Sequence, residues 1–193
     1  MGIEYELKYR ATEEKLAAIR AAFPGNGQTL HMETTYYDTP SGELSARRHT
    51  LRQRLENGVS VCTLKAPAGE RGRGEWEIRR ETIGEALPEL ARISGIPMPN
   101  AESLIPVCGA RFTRITVLLI QPYLTAELAL DKGVLMGGGR QIPLCEVELE
   151  LKSGEKEVLD AFGKQFQLLF GLKKESKSKF RRALALREEE AHV

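Results

Sequence analysis

The sequence predicts an α+β fold built on a large antiparallel sheet with one strongly charged face. Several segments alternate apolar and charged residues with a period of two, which is typical of strands. Asn57 and Gly58 lie between two of these segments and form a strong hairpin signal. Three other stretches show helical periodicity. The 193 residues are enough for one domain with a substantial core, so we expect a single domain.

The first predicted strand, residues 3–10, shows the charge pattern most clearly. Glutamates, lysine and arginine fall on one face, and isoleucine, tyrosines and leucine fall on the other. Further strands are predicted at 33–38, 51–55, 59–65, 75–79, 113–119, 123–130 and 145–152. We therefore expect the charged face to continue across most of the sheet.

Helices are predicted in three places. Thr12 can cap a helix that carries Leu16, Ile19 and Phe23 on one stripe. A second helix is predicted at 84–94, and a third begins near residue 153 and ends before Gly171. These amphipathic helices can cover the apolar face of the sheet.

The overall charge excludes some kinds of partner. Lysine and arginine number 28 and acidic residues 27, so the net charge of +1 gives no global field that would attract nucleic acid or membranes. The first residues lack a secretory pattern, and the longest apolar stretch, around 115–120, is too short to cross a bilayer. We expect a cytoplasmic protein that binds neither nucleic acid nor membranes, and the sequence leaves its oligomeric state open.

Two architectures fit strands with one apolar and one charged face. Charge runs are usually solvated, so the pattern alone favours an open sheet with helices on its apolar face. The alternative is a closed sheet whose charged face lines a water-filled lumen. Closure is favoured because acidic pairs near both ends of the chain and arginine pairs in the middle would face each other. Glu4 and Glu6, about 7 Å apart along a strand, could also share cations.

The charged residues are of types that bind metal and phosphate. Clustered carboxylates repel each other unless cations intervene, and their oxygens suit magnesium, manganese or calcium. Arginine and lysine on the opposite wall would donate to phosphate oxygens. The acidic set is Glu4, Glu6, Glu146, Glu148 and Glu150, and the basic set is Arg52, Arg54 and Lys65. The sequence therefore predicts a polyphosphate site.

Six short motifs occur in order along nearly the whole chain. The first is Glu-Tyr-Glu-Leu-Lys at 4–8. The others are Tyr-Tyr-Asp-Thr-Pro at 36–40, Leu-Arg-Gln-Arg at 51–54, Leu-Lys at 64–65, Glu-Val-Glu-Leu-Glu at 146–150 and Ser-Lys at 178–179. Together these motifs resemble the CYTH superfamily, whose members are also called triphosphate tunnel metalloenzymes. The resemblance implies a closed eight-stranded antiparallel β-barrel with a charged lumen and helices packed outside, in one domain over 1–193.

The resemblance also implies roles for individual residues. The expected metal ligands are Glu4, Glu6, Asp131, Glu146, Glu148 and Glu150. The expected triphosphate ligands are Lys8, Arg52, Arg54, Lys65, Arg114, Lys179 and Arg182. Catalysis is expected from Glu4, Glu6, Arg52, Arg54 and Lys65. Glu75 and Glu77 match an acidic pair whose role stays open.

The activity implied by the resemblance is hydrolysis of tripolyphosphate to phosphate and pyrophosphate with Mg²⁺ or Mn²⁺. Residues 144–154 look most similar to bacterial inorganic triphosphatases. Thiamine or nucleoside triphosphatases and class IV-type adenylate cyclases stay open as alternatives, because they differ only in what the tunnel mouth recognises. A polyphosphate-binding module without activity also stays open, because a basic lumen can hold an anion without cleaving it.

Overall fold

One antiparallel sheet organises the chain in the computed structural model, which describes residues 2–3, 5–25, 27–68 and 72–188. The strands within these ranges are β1 (Gly2–Ile3), β2 (Glu6–Arg10), β3 (Gln28–Asp38), β4 (Thr50–Glu56), β5 (Val59–Ala68), β6 (Gly72–Arg79), β7 (Ile105–Gln121), β8 (Leu124–Gly137), β9 (Arg140–Gly154) and β10 (Lys173–Lys174). The helices are α1 (Glu13–Ala22), α2 (Glu43–Ala46), α3 (Ile83–Ser94), α4 (Lys156–Leu169) and α5 (Lys179–Glu188). This arrangement confirms the α+β prediction.

The order of strands in the sheet is β1-β6-β5-β4-β3-β7-β8-β9-β2-β10. Over the described ranges there are ten strands instead of the predicted eight, and β1 and β10 have only two residues each. The predicted first strand is divided: Gly2–Ile3 pairs with β6, whereas Glu6–Arg10 pairs with β9. One short N-terminal segment therefore contributes to both margins of the sheet.

The predicted helices form close to their expected positions. The backbone N–H of Lys15 donates to the Thr12 hydroxyl at 3.4 Å, which caps α1 as predicted. α4 begins three residues later than expected because β9 continues to Gly154. None of the described helices is long and apolar enough to cross a membrane.

Three helices cover the apolar face of the sheet. α1 and α4 pack on β7, β8 and β9, where Ile19 and Leu159 meet Leu128, Val147 and Leu149 in a buried cluster. α3 covers the other half of the sheet in a second cluster, formed by Leu51, Leu64, Trp76, Leu87 and Leu90. These positions alternate along the strands with the charged residues, so burial of the apolar face fixes the direction of the charged one.

α5 does not follow the prediction that helices pack on the outside, because it lies on the charged face. The ring of Phe180 packs on Tyr36 with centroids 5.1 Å apart, and Ala183 lies over Gly137. A Cβ at Gly137 would stand 2.2 Å from the Ala183 carbonyl oxygen, so glycine permits this close approach. The physical reason is that one end of the charged face is apolar, formed by Met32, Ala110, Phe112, Leu135 and Leu144.

Candidate active site

A cavity of about 160 Å³ lies on the charged face beside the first turn of α5. Seven of its described lining residues are lysine or arginine, and two are glutamate. The lining consists of Glu6, Lys8, Tyr36, Thr50, Arg52, Arg54, Lys65, Arg73, Arg114, Glu148, Ser178, Lys179 and Phe180. This excess of cations in a confined space makes the cavity suited to a multiply charged anion.

Arg54 is the most deeply buried arginine of the basic wall. It is 6% exposed, and its Nε donates to the Thr34 hydroxyl at 2.9 Å on the neighbouring strand β3. The carboxylate that the structure pairs with it, on Glu56, is 3.8 Å away. Burial and the nearby charge of Arg52 together lower the pKa of Arg54 to about 10. Arg54 is therefore a desolvated cation with weak compensation.

Arg52 and Lys65 share the carboxylate of Glu75 on β6. The Lys65 Nζ is 3.2 Å and the Arg52 Nη2 is 3.5 Å from Glu75 Oε1. Glu77 is 4.0 Å from Arg52 and half-exposed, so its contribution is smaller. The buried Nε of Arg52 has no hydrogen-bond partner among the described residues. A buried donor without a partner is costly, and a phosphate oxygen would satisfy it.

Three carboxylates lie together at the other side of the cavity, on β8 and β9. Asp131, Glu146 and Glu148 each offer an oxygen within 4.8 Å of the others. Arg114 donates to both oxygens of Asp131 at 2.7 Å, and it donates to Glu148 at 2.5 Å. Arg114 therefore contacts Glu148 in the cavity lining and Asp131 behind it.

Lys179, the first residue of α5, completes this cluster. Its Nζ is 2.8 Å from Asp131, 2.7 Å from Glu148 and in contact with Glu146. Burial alone would lower the pKa of Lys179, but the carboxylates of Asp131, Glu148 and Glu146 outweigh burial and raise it. Burial alone would likewise raise the pKa of Glu148, but Lys179 and Arg114 hold it well below its usual range. Lys179 and Glu148 therefore carry their charge at neutral pH, whereas burial raises the pKa of Glu146 to about 7.

A family model matches nearly the whole chain, including the residues of this site. Residues 2–184 match the model described as the CYTH domain. The chain belongs to the CYTH family. Among curated relatives, an inorganic triphosphatase from Haemophilus influenzae is 30% identical over 143 residues. This alignment covers 70% of the CYTH chain described here and 40% of that protein, so the chain spans about two fifths of the relative's length.

Solved structures show the same fold. HpAC1 from Hippeastrum, an adenylyl cyclase by provisional name with a dominant triphosphatase activity, has a TM-score of 0.69 at 17% identity and covers 97% of both chains. A Bacillus halodurans protein with a provisional adenylate cyclase name has a TM-score of 0.68 at 19% identity, over 93% of this chain and 96% of its own. PH1819 from Pyrococcus horikoshii has a TM-score of 0.62 at 24% identity, over 95% of this chain and 99% of its own.

The structure brings together most of the residues predicted for the site of this CYTH protein. Glu6, Lys8, Arg52, Arg54, Lys65, Arg114, Glu148 and Lys179 line the cavity. Asp131 and Glu146 lie behind this lining in the carboxylate cluster. Glu4 lies outside the described residues.

Two predicted residues lie away from the cavity lining. Glu150 is paired with Lys152 at 2.8 Å, next to Glu127 on the neighbouring strand. Arg182 contacts Glu146 and Glu175 from the second turn of α5. Alternation along β9 places Glu150 on the charged face, but it cannot show how far along that face the cavity extends.

Sequence reasoning missed Arg73 as a site residue. Arg73 lines the cavity, and its Nη2 donates to the Thr50 hydroxyl at 2.6 Å. The predicted strand began at 75, whereas β6 begins at Gly72. The sequence did contain the signal, because Arg73, Glu75 and Glu77 are two residues apart and fall on the same face of a strand.

Glu175 provides a test of how the C-terminal part is held to the sheet. Its side chain is 1% exposed, contacts Arg10, lies 3.6 Å from Arg182 and accepts from the Lys177 N–H at 2.7 Å. Burial opposes ionisation, but the hydrogen bonds from Arg10 and Lys177 and the charge of Arg182 lower its pKa below 4.5. Glu175→Gln is expected to lower the free energy of unfolding at pH 7 by about 1–2 kcal/mol.

The pH dependence of that loss follows from the sign of the shift. A carboxyl with a lowered folded pKa stabilises the fold above its unfolded value, and this stabilisation disappears as pH falls through the folded pKa. In urea unfolding, the free energy of unfolding of wild type should therefore exceed that of Glu175→Gln by a large amount at pH 7 and by a small amount at pH 3. The exposed Glu102→Gln serves as control. An equal loss at both pH values would show that shape, and not charge, matters at this position.

Proposed function

We propose that this CYTH protein hydrolyses inorganic triphosphate to phosphate and pyrophosphate in a metal-dependent reaction. The observation that carries the proposal is the cavity lined by seven cations and two carboxylates. One wall holds the buried Arg54, with weak compensation, and Arg52, whose buried Nε has no partner among the described residues. A linear triphosphate supplies several negative charges in a row, and it needs no pocket for an organic group. The 30% identical inorganic triphosphatase supports the same activity.

In the proposed reaction the chain's residues mainly bind and orient the substrate. Phosphoryl transfer depends on positioning and charge neutralisation, and needs little covalent help from the protein. Arg52 and Arg54 would hold equatorial oxygens through their forked guanidinium groups, whereas Lys65 and Lys8 would act as point charges. Arg114 and Lys179 would approach the phosphate chain from the opposite side. Charge that develops on the leaving pyrophosphate is then met by fixed cations.

The carboxylates fit a divalent metal by their chemistry. Three oxygens within 4.8 Å of one another are hard donors, the kind that Mg²⁺ and Mn²⁺ prefer. We propose that Asp131, Glu146 and Glu148 hold such an ion, together with Glu6 and Glu4 from the N-terminal segment. Once bound, the ion would neutralise phosphate charge and polarise the attacking water. Lys179 would have to give up part of its contact with the carboxylates to admit it.

We also propose that the sheet forms a closed tunnel in one domain over 1–193. The N-terminal segment supports this closure, because β1 pairs with β6 at one margin of the sheet and β2 pairs with β9 near the other. A closed tunnel would surround the phosphate chain with cations from both walls. It would also exclude bulk water, which strengthens each charge interaction.

The proposal predicts a specific product pattern. Tripolyphosphate with Mg²⁺ or Mn²⁺ should give phosphate and pyrophosphate in equal amounts, and ATP and thiamine triphosphate should react much more slowly. Ion chromatography of all three reactions, run side by side, measures this directly. Chelation with EDTA should stop turnover, and added Mn²⁺ should restore it.

Other outcomes would identify the alternatives. If ATP gave mainly cyclic AMP, the protein would be a cyclase and the proposal would be wrong. Two structural neighbours carry provisional cyclase names, so this outcome is worth testing. Tight binding of tripolyphosphate without cleavage at any metal concentration would indicate a polyphosphate-binding module. Full turnover after thorough chelation would contradict the metal requirement.

A further inference from the structure

Phe112 on β7 is surrounded by cations from three elements of the fold. The guanidinium carbons of Arg54 and Arg114 each lie 5.7 Å from the centre of its ring, and the Lys179 Nζ lies 5.4 Å from it. Arg54 comes from β4, Arg114 from β7 and Lys179 from α5. All three cations line the cavity, whereas the ring, which is only 4% exposed, is not part of the described lining. Phe112 therefore lies directly behind the basic wall.

The backbone around Phe112 is built to keep the ring in this place. Gly133 on β8 is its cross-strand neighbour. A Cβ on Gly133 would stand 2.6 Å from the Phe112 Cβ and 2.1 Å from the Arg111 carbonyl oxygen. Any larger residue would push the two strands apart or turn the ring. Glycine at 133 thus permits the close approach on which the position of Phe112 depends.

A phenyl ring has a chemical effect here that other side chains lack. Its face is electron-rich and attracts cations, so it offsets the repulsion among three like charges in a desolvated place. A carboxylate at this position would neutralise the cations and compete with an anionic substrate. An aliphatic side chain would fill the space without attracting them. Arg114 and Lys179 are already paired with Asp131 and Glu148. The ring therefore matters most for Arg54, whose paired carboxylate is 3.8 Å away and whose charge the ring leaves available.

We infer that Phe112 is a positioning residue, whose ring holds Arg54, Arg114 and Lys179 in the arrangement that binds the phosphate chain. This inference rests on the proposed function. Phe112 is uncharged, so its own chemistry does not indicate a role in anion binding. The ring itself does not touch the substrate and acts through the three cations.

The test replaces Phe112 with 3,4,5-trifluorophenylalanine, which keeps nearly the same shape but removes most of the negative charge from the ring face. Tripolyphosphate binding is measured by calorimetry in chelator at low salt, so that no turnover occurs. We expect the Kd to rise about tenfold, the size of a desolvated cation–π contact. The melting temperature without ligand should fall by roughly 5 °C, because the cations then repel each other with less compensation.

The control is the same replacement at Phe166. This ring is equally buried, but it packs among Phe23, Phe162 and Phe170 in the core under α4. No cation contacts Phe166 among the ring contacts of the described residues. Its fluorination should leave the Kd within about twofold of wild type. A second variant, Phe112→Leu, removes the ring and should bind at least as weakly as the fluorinated protein.

Three results would overturn the inference. An unchanged Kd in the protein fluorinated at 112 would show that the ring serves only the fold, whatever its melting temperature. Equal changes of Kd and melting temperature in the two fluorinated proteins would show a general effect of fluorine. A wild type that binds tripolyphosphate without cleaving it would contradict the proposed function alone, and a wild type that binds it neither in chelator nor with Mn²⁺ would overturn both.

Discussion

Replacing Arg54 with lysine is expected to reduce tripolyphosphate hydrolysis nearly as much as replacing it with alanine. Arg54 is buried, is held by Thr34 at 2.9 Å and has one weak carboxylate partner 3.8 Å away, so its charge is available to the substrate. A lysine has no forked donor pair and loses the fixed direction that the guanidinium group gives. Loss of one contact to the developing charge should slow turnover by roughly thirty to a thousandfold, or about 2–4 kcal/mol.

Steady-state rates of wild type, Arg54→Lys and Arg54→Ala, measured at saturating Mn²⁺, give the comparison. Arg92→Ala is the matched control, because Arg92 is largely exposed on α3 and, within the described ranges, pairs weakly with Glu89 at 3.8 Å. That variant should keep its activity within about twofold. Near wild-type activity in Arg54→Ala would place this arginine outside the reacting site and would require another donor for the same oxygens.

Glu148→Gln is expected to lose activity and also to destabilise the metal-free protein. Glu148 pairs with Arg114 at 2.5 Å and with Lys179 at 2.7 Å, so glutamine would leave the buried Lys179 and the partly buried Arg114 with one fewer carboxylate. The same cluster of ion pairs also includes Asp131, Glu146 and Arg182. Breaking a buried pair costs about 3 kcal/mol, which corresponds to a fall of roughly 10 °C in melting temperature.

Differential scanning fluorimetry in EDTA, followed by titration with Mn²⁺, separates the two roles of Glu148. The metal should raise the melting temperature of wild type more than that of the variant, because a ligand of the native state stabilises it by mass action. Glu13→Gln removes an exposed carboxylate that pairs with Lys132 and should change little. If chelated Glu148→Gln melts at or above chelated wild type, the carboxylates repel each other in the metal-free state, and the ion pairs do not stabilise it.

Local patterns were enough to predict much of the site. The arginines of β4 follow from alternation and from the Asn-Gly turn that fixes the β4–β5 hairpin, since the register of a hairpin is set by its turn. The glutamates of β9 follow from the same period of two. In both cases the neighbouring residues in sequence decide which face a side chain occupies.

The position of α5 and the pairing within the carboxylate cluster could not be predicted in this way. The charges of α5 hide its apolar stripe of Phe180, Ala183 and Leu186, so no helical pattern stood out. Its place on the charged face depends on an apolar area assembled from β3, β7, β8 and β9. Lys179 reaches the carboxylates only because α5 docks there, and such contacts between distant segments leave no periodic signal in the sequence.

The division of the N-terminal segment between both margins of the sheet also governs how the chain can fold. Among the described strands, β2 pairs with β9 and β10, and the Tyr5 hydroxyl donates to Asp160, 155 positions away. During synthesis β2 leaves the ribosome long before β9 and β10, because both partners follow far along the chain. This high contact order makes the final pairing slow and leaves an unpaired β-strand exposed during synthesis. Its alternating charges, Glu6, Lys8 and Arg10, would discourage aggregation with other chains until β9 arrives.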